Sequence, residues 1–172
     1  MKVYLAGKVA GRKWEVVKPL SRADVEWIAS DGGNHSEHLW GGGYPPWDLI
    51  GNEEVARSVD DARKKIMIAD CLIAYLDEDD SYGSIVEVTL ASVYQKRCLL
   101  VVLMPPIPSM ELGSDDGHQE GQRAWRMADA YWFVSCLPGV RVAIVVSEAE
   151  ATDVIRGFLL QTHRHVPKTR EV

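Results

Sequence analysis

Asp70-Cys71-Leu72-Ile73-Ala74-Tyr75-Leu76 runs directly into Asp77-Glu78-Asp79-Asp80-Ser81-Tyr82-Gly83-Ser84-Ile85-Val86-Glu87. After its leading aspartate the first part is apolar without polar alternation, the pattern of a strand buried on both faces. The acidic run that follows reads as a loop, and Gly83-Ser84 opens a helical pattern that carries Glu87. Apolar runs of the same kind at 3–6, 98–104 and 140–146 predict further parallel strands, with 25–29 as a weaker fifth. Helical patterns fall between most of them, at 51–69, 83–96 and 119–136, with a last one at 148–162. Strand alternating with helix predicts a single-domain α/β fold: an open parallel sheet of about five strands, helices on both faces, flavodoxin- or Rossmann-like. Ligands of such sheets sit beyond the carboxyl ends of the strands. Gly7, Lys8 and Asp77 follow two of those ends and are candidate substrate-binding residues.

The whole chain fits that architecture. Its 172 residues, 47% hydrophobic and 26% charged, suit one domain over 1–165 followed by a short basic, solvated tail at 166–172. No stretch approaches the roughly 20 apolar residues of a membrane span. Met1 leads straight into a strand pattern, where a signal peptide would show a basic start and an apolar stretch. A cytoplasmic protein is expected. The net charge of −6 and the pI of about 5.4 argue against binding a nucleic-acid polymer, while leaving room for a small nucleotide. Cys71, Cys98 and Cys136 form no disulfide pattern and each sits beside apolar residues, so buried, inert thiols are expected.

Chemistry concentrates around Glu87. Placed in the first turn of its helix, it points towards the strand ends, where the helix dipole favours an ionised carboxylate. Ser81 and Ser84 add hydroxyls, and Gly83 leaves the backbone N–H groups of the helix start approachable. An ionised carboxylate facing a sugar pocket is what a retaining glycosyl mechanism needs. A second acidic group, or a lid, would assist protonation of the leaving base. The competing structural role is a capping box, Ser84-x-x-Glu87, in which Ser84 caps the helix and Glu87 reaches back to it.

Two long loops flank this core. The stretch 31–49 is glycine-rich with interleaved aromatics and reads as a packed lid, in which His35, His38 and Trp40 could touch base or phosphate. His35-Ser36-Glu37-His38 lacks the rigid spacing of a metal site, so neither metal nor cofactor is expected. The stretch 105–118 reads as an exposed insertion. Trp125 and Trp132, at helical spacing, suggest core or subunit packing.

Tyr4-Leu5-Ala6-Gly7, Ile68-Ala69-Asp70 and Tyr82-Gly83-Ser84-x-x-Glu87, in that order and placement, resemble the nucleoside 2-deoxyribosyltransferase family and its nucleotide N-glycosidase relatives. The match spans Lys2–Gly7 and about 59–104. The resemblance implies that Glu87 is the nucleophile, that Tyr4 orients it, and that Gly7 lets the sugar approach the backbone. It also implies a homodimer or larger homo-oligomer. Lys8 stands where the family often has Pro, and Ser81 where the transferases have Asp, with Asp80 one residue away. A serine there looks more like the nucleotide hydrolases, whose hydroxyl helps hold a 5′-phosphate. The family's helical aspartate falls on Ala62, so Asp61 would serve through a one-residue shift.

The function expected is therefore hydrolysis or transfer at the N-glycosidic bond of a nucleoside or nucleoside 5′-monophosphate. The alternative is a non-catalytic nucleotide-sensing module on the same scaffold. A receiver domain would need an acidic pair where Gly7-Lys8 stands, and a dinucleotide-binding turn would need Gly-x-Gly-x-x-Gly.

Overall fold

Five apolar segments pair into one parallel sheet. The computed structural model describes residues 1–7, 13–29, 53–77, 82–104 and 131–164. In chain order these form β1 (Lys2–Ala6), α1 (Lys13–Val17), a 3₁₀ turn (Lys18–Leu20), β2 (Glu26–Ile28), α2 (Glu53–Ile68), β3 (Cys71–Leu76), α3 (Tyr82–Val93), β4 (Arg97–Leu103), β5 (Val140–Val145) and α4 (Glu148–His163). A helical stretch also occupies 131–135. The strand order is β2-β1-β3-β4-β5, every pairing parallel. The expected open α/β sheet is what the chain forms.

Strand periodicity divides the core in two. Val3 and Leu5, then Cys71, Ile73 and Tyr75, point to the face covered by Val16 and Val17 of α1 and by Ile155 and Phe158 of α4. Tyr4 and Ala6, then Leu72, Ala74 and Leu76, point to the other face, covered by Ile66 of α2 and by Val88 and Ala91 of α3. All six residues of β3 are buried. At about 1.5–3 kcal/mol for each large side chain removed from water, these two layers carry most of the favourable free energy. Lys2 N donates to Asp70 Oδ2 at 2.7 Å and Asp70 N to Lys2 O at 2.8 Å, so the strand-entry aspartate pins the amino end of β1 to β3. Ser147 caps α4 by accepting from Glu150 N at 3.2 Å.

Several expectations change. α3 starts at Tyr82, which puts Ser84 inside the helix and Glu87 in its second turn. The dipole, felt mainly in the first turn, loses its hold on that carboxylate. The run at 140–146 does not lie in a doubly covered strand: β5 is an edge strand, and Val142 and Ile144 are exposed. Cys71 and Cys98 are buried as expected, but Cys136 is exposed just beyond the helical stretch. The short α1 has no counterpart among the helical patterns of the sequence. No helix among the described residues is long and apolar enough to cross a membrane.

Candidate functional site

In the order β2-β1-β3-β4-β5 strands are added to one side of β1 and then to the other, and open α/β sheets bind ligands at the carboxyl ends of that switch point between β1 and β3. β1 ends there at Ala6 and β3 at Leu76. Register and pleat decide which side chains reach it. Tyr4 pairs with Leu72 and faces α3, because it alternates with Val3 and Leu5 on the opposite face. Its ring is fully buried, and its hydroxyl donates to Glu87 Oε1 at 2.5 Å. An O–H to carboxylate bond this short belongs to the charge-assisted class. Two residues 83 apart in sequence are thereby joined at the top of the sheet.

Gly7 continues β1 past its last ladder residue with φ +139°, a conformation reserved for glycine. A Cβ there would lie 2.7 Å from the carbonyl oxygen of Tyr75 and 3.1 Å from Cδ of Lys13. The chain passes this close to β3 only because the side chain is missing.

Lys13 joins the site without a motif to announce it. It stands at the start of α1, on the sheet face opposite α3, and its Nζ donates to Gly7 O at 2.9 Å. Only 3% exposed, it is the one charged side chain among the described residues that is buried. Burial pushes its pKa below the usual lysine value, and the negative charge of Glu87 pulls it partly back. A sequence signal does exist: Lys13 heads the series Lys13, Val16, Val17, Leu20, with helical i, i+3, i+4, i+7 spacing.

The other candidates fall in different places. Ser84 is buried, and among the described residues nothing lies within 4 Å of where a Cβ on Gly83 would stand. Asp77 directly follows β3 and is half-buried. Asp61 forms an ion pair with Lys65 at 2.9 Å along α2, and Asp60 pairs with Lys64 and Arg63. Lys8, His35, His38, Trp40, Asp80 and Ser81, with the loops 31–49 and 105–118, lie outside the described residues.

No protein-family model matches the chain, and no curated protein matches it. Among solved structures it is similar to the CMP N-glycosidase BcmB of Clostridium botulinum, at 13% identity and a TM-score of 0.44, over 92% of this chain and 99% of that one. The geometry therefore carries the functional reading.

Proposed function

We propose that the protein is an N-glycosidic bond hydrolase or transferase acting on nucleosides or nucleoside 5′-monophosphates, with Glu87 as nucleophile. The observation that carries this reading is the 2.5 Å hydrogen bond from buried Tyr4 to Glu87 at the carboxyl end of the β1–β3 switch point. A glutamate used only as a helix cap would turn back to its own helix start. Here one carboxylate oxygen is held by a side chain from the sheet, leaving the group oriented at the strand ends, where a ligand of this architecture binds. The resemblance of Tyr4-Leu5-Ala6-Gly7 and Tyr82-Gly83-Ser84-x-x-Glu87 to the deoxyribosyltransferases supports the same assignment.

The chemistry then follows in two steps. A Glu87 oxygen attacks the anomeric carbon while the C–N bond breaks, and the base leaves with the bonding electrons and takes up a proton. Water, or a second base, next displaces Glu87 from the glycosyl ester, giving the free sugar or a new nucleoside and restoring the carboxylate. Tyr4 fixes the rotamer of the nucleophile. Gly7, lacking a side chain, lets the end of β1 lie close against Tyr75 and Lys13.

Incubating the protein with a panel of nucleosides and nucleoside 5′-monophosphates, and following free base by chromatography, tests the assignment. Release by wild type and not by Glu87→Ala is expected, and a second base added to the mixture separates transfer from hydrolysis. Release that survives Glu87→Ala would remove the nucleophile from the scheme.

A further inference from the structure

We infer that Lys13 is a positioning residue for this site, supplying the fixed positive charge against which Glu87 works while its Nζ holds the Gly7 carbonyl. The inference rests on the reading of Glu87 given above. Lys13 comes from α1, on one face of the sheet, whereas Tyr4 and α3 lie on the other. The lysine reaches over the end of β1, and its Nζ donates to Gly7 O at 2.9 Å.

An ammonium in that position is expensive to bury. One carbonyl does not repay the desolvation of a unit charge, which needs an opposite charge or several hydrogen bonds. Propping up a strand end would be done as well by a neutral donor. The compensation available here is the carboxylate of Glu87, whose charge is the interaction that favours the protonated lysine. The same attraction works in reverse: a cation at this place favours the ionised form of Glu87. The sequence assigns that role to the helix dipole, but Glu87 stands in the second turn of α3, beyond the dipole's main reach. Lys13 supplies what the dipole does not.

The titratable side chains on the elements around Lys13 are Glu87 of α3, Lys2 and Tyr4 of β1, Cys71 and Tyr75 of β3 with Asp77 after it, and Glu15 of α1 itself. On α4, which packs on α1 through Thr152 Oγ1 and Val16 O, they are Glu148, Glu150 and Asp153 at its amino-terminal end. Of all these, Glu87 is the one whose negative charge favours the protonated lysine against the cost of burial.

The decisive experiment separates charge from propping. Lys13→Gln keeps a donor for Gly7 O without the charge, Lys13→Met removes both, and Lys13→Arg keeps the charge. In protein carrying ¹³C-labelled glutamate carboxyls, the Glu87 signal is assigned by its loss in Glu87→Gln and titrated in each variant. The midpoint is expected to move to higher pH in Lys13→Gln and Lys13→Met and to return towards wild type in Lys13→Arg. In base release, kcat of Lys13→Gln is expected to fall about tenfold or more at neutral pH, with KM little changed and the acid limb of the profile moving with the midpoint. An unmoved Glu87 midpoint in folded Lys13→Gln would overturn the inference and leave Lys13 as a prop for Gly7. Should wild type release no base at all, the glycosidase reading fails, while the titration still decides what the lysine does to the carboxylate.

Discussion

Replacing Gly7 with alanine tests the site at its tightest point. Two costs can be worked out from the structure. At φ +139° an L-residue is strained, by about 1–3 kcal/mol. The new Cβ would also stand 2.7 Å from Tyr75 O, a backbone atom of β3, which is paired on its far side with Val101 of β4 and cannot easily retreat. The 3.1 Å approach to Lys13 Cδ is softer, because a lysine chain can shift. Together these predict a loss of roughly 2–4 kcal/mol, within the range of other backbone-strain substitutions. For a chain of this size that is a fall in Tm of roughly 5–15 °C by circular dichroism. Gly139 supplies the control: its φ is +77° and its Cβ would meet Lys96 O at 2.9 Å, at the opposite end of the sheet. Gly139→Ala should lose comparable stability yet release base at the wild-type rate wherever both are folded. Gly7→Ala should lose activity as well. A Tm within about 2 °C of wild type for Gly7→Ala would refute the reasoning about this backbone, and full activity would refute the close approach.

Other outcomes follow from individual contacts. Tyr4→Phe keeps the buried ring and removes the hydroxyl; losing a hydrogen bond to a charged group costs about 1.5–3 kcal/mol, so kcat/KM should fall about tenfold to a hundredfold, and an unchanged value would show that Tyr4 does not hold the nucleophile. Gly157 lies inside α4 with nothing among the described residues within 4 Å of the place a methyl group would take, so Gly157→Ala should gain about 0.5–1 kcal/mol, read as a higher urea midpoint at unchanged slope. Burial pushes the Cys71 and Cys98 thiols up to about 12, so both stay protonated at pH 8, whereas Cys136 is exposed. Titration of the native protein with a disulfide reagent should therefore show fast reaction at Cys136 alone, with the other two appearing on denaturation; fast reaction at Cys71 or Cys98 would contradict the packing of β3 and β4.

The sheet is readable in the sequence because β3 and β4 are doubly covered, and their apolar runs have no reason to alternate. The same rule misleads at β5: its composition matches its neighbours, but only the pairing order makes it an edge, and order is a long-range property. Glu87 and Tyr4 can be named from their motifs, yet the bond between them depends on which face of β1 Tyr4 occupies and on how α3 is seated. α1 is hidden because five residues with adjacent valines, followed by Pro19, give little helical signal. Its stability comes from Val16 and Val17 packing on the sheet. Lys13 is hidden with it, since a lysine at the head of an apolar stripe looks like a surface residue until its helix is placed. For Asp61 the sequence offers only a shifted register, and the structure gives it Lys65 as partner.

The central claim is that Glu87 forms and breaks the bond to the sugar. The most direct measurement is the rate of free-base release by wild type and by Glu87→Gln on the best substrate of the panel, with both proteins shown to be folded. The account predicts release by wild type and a loss of about a thousandfold or more in Glu87→Gln, as expected on removing a nucleophile. Equal rates in the two proteins would contradict it, and no release by either would make the Tyr4–Glu87 pair part of a nucleotide-binding module instead.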